Sequence, residues 1–489
     1  MDIKPSASLK QKTINSIIWS FIRRFGTLII SFIANLILAR LLFPKDFGSI
    51  GMITVFLAIS ETLINGGLGS ALIQKKNPTN IDYSTVFYWN LSLSIFLYVI
   101  LYFSAPSISK FYNMPILSKL LRVQGIILII NSFNIIQNNI LIKKLNFKTL
   151  AIRDLISNSI GAVIGISLAF MQFGVWSLVI RTLVVGIFNS ILLWGISSWR
   201  PSFAFSWDSF KELFSFGSLM LLYSLTDTVT NELQSLIIGK KFSAQSLGFY
   251  TQAKKIHEIP QKGLTQPINQ VTFPVFSTIQ DKPATLKKYV SKSMKTITFI
   301  SFPLMVLLII IAKPLIKLLL SDKWLASAPL FQLLCLSGML FPINSNCINV
   351  MKAMGKSNYV FYSALIKRFI TISFIIIGLQ FGIMAMIFFY SISIYFWFII
   401  NAFILGKLIN YGIKKQINEM GLTYVTSFII GGIVFAITKN LSVNYFMLML
   451  IQISIFITFY LGLSYILKVE GYYYLKTITK EQIRKLKNE

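Results

Sequence analysis

Acidic residues, histidine and cysteine are all scarce in this chain of 489 residues. Asp and Glu together number 16 against 46 Lys and Arg, histidine occurs once, and cysteine twice. Zinc and di-metal centres draw several ligands from these residue types, so no metal or other cofactor is expected. The cysteines, Cys335 and Cys347, fall in one apolar run, which excludes a disulfide framework. Short segments of alternating polarity, the mark of a membrane β-barrel, are missing. Long polar loops are missing as well. A metal-dependent membrane glycosyltransferase needs clustered acids on a water-exposed loop, and an O-antigen polymerase needs a large extracytoplasmic loop. No catalytic residue is expected.

What the chain has in abundance is apolar length. Hydrophobic residues make up 55% and charged residues 13%, with a mean hydropathy of +0.70, where a soluble domain carries about 25% charged residues. A spanning helix needs about 20 mostly apolar residues, and helices alone satisfy the backbone of such runs in lipid. Fourteen spans are read near 14–38, 47–73, 84–104, 120–141, 151–171, 174–196, 212–238, 246–279, 293–320, 325–351, 357–379, 381–405, 420–438 and 443–467. The fold class is therefore an all-α integral membrane protein.

A net charge of +30 would suggest nucleic acid in a soluble protein. Here the cations concentrate in alternate short loops, at Lys75, Lys76, Lys143, Lys144, Lys148, Lys282, Lys287, Lys288, Lys414 and Lys415, and in the tail from Lys468. The positive-inside rule then places both termini in the cytoplasm. The basic tail at 476–489 fits anionic lipid headgroups, so membrane lipids are expected partners and nucleic acid is not. No cleavable signal peptide is expected, because Arg23 and Arg24 break the first apolar run.

The chain also repeats itself at a shift of 200 positions. Arg24, Thr27, Ser31 and Asn35 form one polar stripe on the first helix, and Ser224, Asp227, Asn231 and Ser235 answer them on the seventh. The following connection, ARLLFPKDFG at 39–48, is answered by GKKFSAQSLG at 239–248. On the next helix Thr54, Ala58, Glu61 and Asn65 are answered by Lys254, Glu258, Gln261 and Thr265. Six helices separate the copies, so both enter from the same side, as in parallel-repeat transporters. The expected organisation is a six-helix lobe at 1–200, a second at 201–406, and two further helices with the tail at 407–489.

Charge near the bilayer centre costs at least a few kcal/mol, which makes such residues functional candidates. The cations are Arg23 and Arg24 on helix one, Lys254 and Lys255 on helix eight, and Lys367 and Arg368 on helix eleven. Asn35, Glu61, Asn65, Asp227, Asn231, Glu232 and Glu258 supply the polar and acidic groups. Cations outnumber acids, so a water-filled cavity that receives an anion with a bulky polar part is expected. Structural ion pairs and snorkelling are the competing readings of each residue. Pro260, Pro267 and Pro274 on helix eight, and Pro303 and Pro314 on helix nine, mark expected kinks or hinges.

ARLLFPKDFG at 39–48, GGLGSALIQ at 66–74, QNNILIKKLNFKTLA at 137–151, LGFYTQAKKI at 247–256 and AMGKS at 353–357 together resemble one family over roughly residues 9–400. It is the polysaccharide (Wzx-type) flippases of the multidrug/oligosaccharidyl-lipid/polysaccharide exporter superfamily, in the branch of lipopolysaccharide and teichuronic acid biosynthesis proteins. The resemblance implies twelve core helices plus two, in a bacterial cytoplasmic membrane. It implies movement of an undecaprenyl-diphosphate-linked oligosaccharide from the inner to the outer leaflet, for O-antigen or capsule assembly, with glycosyltransferases and a polymerase of the same pathway as further partners. It also implies headgroup contacts at Arg23, Arg24, Lys254 and Lys255, and ion coupling at Asp227 and Glu232. A lipid II flippase and a drug or cation antiporter of the same superfamily are the alternatives. The topology is checked by reporter fusions: alkaline phosphatase is expected to be active when joined after Asn113 and inactive when joined after Lys144.

Overall fold

A computed structural model describes residues 7–477, with side chains from residue 15 onward. The chain runs through α1 (Ala7–Leu41), α2 (Pro44–Asn65), α3 (Leu68–Gln74), α4 (Asn80–Tyr112), α5 (Ile116–Gln124), α6 (Ile126–Ser132), α7 (Ile135–Lys143), α8 (Phe147–Phe170) and α9 (Trp176–Ile196). It continues through α10 (Trp207–Lys241), α11 (Ala244–Thr278), α12 (Pro283–Ile310), α13 (Ala312–Leu320), α14 (Ser327–Ala353), α15 (Ser357–Leu379), α16 (Ile383–Ile409), α17 (Ile413–Thr438) and α18 (Tyr445–Ile466). No strand occurs among the described residues. Most of the basic tail at 476–489 lies outside them.

Twelve segments are long and apolar enough to cross a membrane, with α2–α3 and α5–α7 each counting as one. The other two segments read as spans in the sequence are α10 and α11, which are not among the twelve. Each is 35 residues long, enough for about 50 Å of helix, and each carries several charged residues along its length. The fourteen segments read in the sequence thus correspond to these twelve candidate spans and to two further long helices.

Helix starts follow the local chemistry. Thr79 and Asp82 form a reciprocal capping box at α4: the Thr79 hydroxyl accepts from Asp82 N at 3.2 Å, and the Asp82 carboxylate accepts from Thr79 N at 2.8 Å. Asn146, Ser206 and Asn444 cap α8, α10 and α18 in the simpler way. α11 continues through Pro260, Pro267 and Pro274, so the prolines do not end it. Helix nine of the sequence does break, at Ile311 ahead of Pro314, into α12 and α13.

Two compact units emerge, Met1–Gly248 and Phe249–Glu489. In the first, α1 packs along α8, α8 along α9, and α10 against α2, α3 and α4. In the second, α14 is the most enclosed helix, packed between α12 and α16; α15 lies on α16, and α17 on α12 and α18. The unit boundary falls after α10 because of that helix's contacts. Lys75 Nζ reaches Asp82 at 3.1 Å and Glu212 at 2.9 Å, and the Ser209 hydroxyl donates to Asp82 at 2.5 Å. The Glu212 carboxylate beside Lys75 holds its ammonium above the ordinary value, with Asp82 adding to the effect. Higher along α10, Thr228 and Thr62 share a hydrogen bond at 2.9 Å.

The helix bounds keep the register of the repeat. α1 ends at Leu41 and α10 at Lys241, while α2 begins at Pro44 and α11 at Ala244. Gly48 and Gly248, which the sequence placed at matching points, pack reciprocally: a Cβ on Gly48 would lie 1.6 Å from the Ala244 carbonyl oxygen, and one on Gly248 would lie 1.9 Å from that of Pro44. Each glycine thus meets the first residue of the other's helix, Ala244 of α11 and Pro44 of α2. Only backbone faces these positions, so nothing can yield to a side chain. Gly48→Ala is expected to lower the apparent melting temperature of the detergent-solubilised protein by several degrees, whereas Gly195→Ala, in open space, leaves it within about one degree.

Candidate functional site

In the first unit, one of the two helix-one cations, Arg23, enters an ion cluster with α7 and α8. Arg23 Nε donates to Asp154 Oδ2 at 2.5 Å. The other oxygen, Oδ1, accepts from Arg153 Nε at 2.9 Å and Nη2 at 2.5 Å, and Arg153 Nη1 donates to Asn138 Oδ1 at 2.5 Å. Arg153 is buried, whereas Arg23 keeps 30% of its side chain exposed. Arg24 is exposed, and no ion pair among the described residues includes it. The sequence-predicted cations Arg23 and Arg24 therefore differ: one is tethered and one is not.

Glu61 lies on α2 and accepts from Asn131 Nδ2 at 3.0 Å, while Asn65 Nδ2 donates to the Glu61 carbonyl at 2.9 Å. This acid is thus held among neutral amides rather than beside a cation. Asn35 is half-buried on α1. On α10, Asn231 Nδ2 donates to Asp227 Oδ2 at 3.0 Å; both side chains are exposed and Glu232 is half-buried.

In the second unit, Lys254 sits 6.0 Å from the centroid of the buried Tyr250 ring. Glu258 pairs with Lys262, one turn on, at 2.6 Å, and Lys255 is exposed. His257 is buried against Gly338, a packing role. Lys367 lies over Trp397 at 4.2 Å, and Arg368 is half-buried. Trp397 is itself fixed by a buried chain of hydrogen bonds. Its Nε1 donates to Ser363 at 3.0 Å, Ser363 donates to Asn401 at 2.6 Å, and Asn401 donates to Asn344 at 2.7 Å. A cation over an aromatic face gains about 0.5–2 kcal/mol, so this chain gives Lys367 a defined position.

The residues that sequence reasoning missed are the partners. Arg153 begins so close to the start of α8 that snorkelling would explain it, and Asn138 and Asn131 are neutral. The signal for the first was the adjacent Arg153–Asp154 pair inside an apolar run. Cys335 and Cys347 are free and buried, and among the described residues no group of His, Cys, Asp and Glu could hold a metal ion.

The family model described as a polysaccharide biosynthesis protein matches residues 37–329. The teichuronic acid biosynthesis protein TuaB of Bacillus subtilis is 28% identical over 63% of this chain and 64% of its own length. The succinoglycan biosynthesis transport protein ExoT of Rhizobium meliloti is 26% identical over 75% of this chain and 74% of its own. The chain thus spans just under two thirds of TuaB. Among solved structures, the lipid II flippase MurJ in an inward closed conformation superposes with a TM-score of 0.75 at 18% identity, over 92% of this chain and 98% of that one. The MurJ likeness establishes a shared fold. Asn401→Leu is expected to destabilise the second unit by about 1–3 kcal/mol, by orphaning Ser363 and Asn344, and thermal unfolding followed by tryptophan fluorescence checks it through Trp397.

Proposed function

We propose that this chain, which belongs to the polysaccharide biosynthesis protein family, is a flippase that moves an undecaprenyl-diphosphate-linked oligosaccharide from the inner to the outer leaflet of the bacterial cytoplasmic membrane. The observation that carries the reading is the excess of cations over acids on spanning helices: Arg23, Arg24, Arg153 and Asp154 carry a net positive charge on α1 and α8, and Lys254, Lys255, Lys367 and Arg368 add to it on α11 and α15. Cations on spanning helices are costly in lipid, and a diphosphate is a ligand whose charge offsets an excess of them over acids. The names of TuaB and ExoT support a polysaccharide precursor as the cargo.

Transport proceeds by alternating access. The repeats at 1–200 and 201–406 expose the headgroup to one side of the membrane and then the other, with 407–489 supplying two further helices. The lipid tail stays in hydrocarbon, so only the headgroup needs a polar path. Asn35, Glu61, Asn65, Asp227, Asn231, Glu232 and Glu258 supply polar contacts and groups for ion coupling. Both termini face the cytoplasm, where glycosyltransferases make the cargo; a polymerase acts on it outside.

Deleting the gene is expected to remove the cognate surface polysaccharide and to accumulate its lipid-linked precursor on the cytoplasmic side. Complementation with Arg24→Ala or Lys254→Ala is expected to restore less than roughly a tenth of the polysaccharide at normal protein level, as lost charge-assisted contacts of about 1.5–3 kcal/mol imply. Full polysaccharide in both variants would remove these residues from the transport path.

A further inference from the structure

The ion cluster on α1 and α8 has a division of labour that a simple ion pair does not need. α1 and α8 approach closely at Gly26, where a Cβ would lie 2.5 Å from Leu155 Cδ2. The helices are also joined by a hydrogen bond from the Ser31 hydroxyl to Asn158 Oδ1 at 3.3 Å, and Asn158 Nδ2 donates to the Asp154 carbonyl at 2.8 Å. Arg23 is thereby brought to Asp154, about 12 Å along the helix from Asn15. Arg153 spends Nε and Nη2 on Asp154 and Nη1 on Asn138. Arg23 spends only Nε on Asp154. Its two terminal nitrogens, with four N–H donors between them, make no hydrogen bond among the described residues, and the side chain is 30% exposed.

We infer that Asp154, locked by Arg153 and Asn138, is a counter-ion clamp that aims the terminal fork of Arg23, and that this fork together with Arg24 contacts the diphosphate. The inference rests on the flippase reading for its ligand. Asp154 and Arg153 are positioning residues; Arg23 and Arg24 are the contacting ones. The clamp serves two needs. It holds a long side chain in one orientation, which lowers the ordering cost on binding. It also cancels one of three guanidinium charges, so that the anion is held without being trapped.

The geometry requires arginine at position 23. Lysine has one nitrogen, so a salt bridge to Asp154 would hold its whole charge at the carboxylate and leave two N–H donors where arginine offers a terminal fork with four. At position 24, which has no such tether, lysine still attracts the anion. The test measures binding of undecaprenyl diphosphate in detergent micelles to the purified full chain, with folded yield followed by size-exclusion chromatography. Arg23→Lys is expected to weaken binding roughly tenfold or more, and Arg24→Lys by about threefold or less. Arg23→Lys combined with Asp154→Asn, which releases the new ammonium while keeping an oxygen acceptor for Arg153, is expected to regain most of the lost affinity.

A purely structural ion pair predicts the opposite order: Arg23→Lys keeps the pair and binds normally, and the double variant is worse. Either result, normal binding by Arg23→Lys or no recovery in the double variant, overturns the clamp and leaves the flippase reading standing. Should the wild type take up no undecaprenyl diphosphate, the flippase reading falls. The same variants then rank with inorganic diphosphate, and their order supports or overturns the clamp alone.

Discussion

Hydrocarbon offers no partner for a backbone amide, and that constraint orders the rest of this molecule. It forces each apolar run into a helix, since only a helix satisfies its own N–H and C=O groups within one segment. It also removes the hydrophobic force between helices, because lipid tails are as apolar as leucine. Association then depends on close approach and on polar contacts. Both are visible: Gly48 and Gly248 admit backbone against backbone, and Thr62–Thr228, Ser31–Asn158 and Asn344–Asn401 link helices by single hydrogen bonds.

The same constraint separates two kinds of charge. At the membrane boundary Lys75 lies between Asp82 and Glu212 and fastens α10 to α4, where water remains available and the ion pairs cost little to form. Within the spans, charge needs a compensating partner or a ligand. Arg153 hydrogen-bonds through all three of its nitrogens to Asp154 and Asn138, Arg23 through Nε alone to Asp154, and Arg24 enters no ion pair among the described residues. That gradient, from buried and tied down to exposed and open, runs over three residues and gives the proposed anion site its direction.

Much of the architecture was legible in the chain. Twelve of the fourteen spans read from apolar length are helices long and apolar enough to cross a membrane, and the other two readings fall on the long, more charged helices α10 and α11. The 200-residue register reappears in the helix bounds. Less was legible at the site. Arg23 and Arg24 read as an equivalent pair because they are neighbours in sequence, but adjacent helix residues point in different directions, and only one meets Asp154. Glu258 reads in the sequence as a cavity group with a structural ion pair as the competing reading, and in the structure it pairs with Lys262 at the i+4 position. The chain through Trp397 was invisible, since serine and asparagine in an apolar helix do not announce which neighbour they bond.

The amino-acid sequence by itself determined that this is a helical membrane protein and where its helices lie. These follow from composition and period, which are local properties of the chain. The tertiary structure decided which charges are neutralised, why the glycines of the connection must be glycine, and which helix fastens α10. Those depend on what lies opposite each residue in space, and a one-dimensional pattern records the face a residue occupies but not the group that faces it.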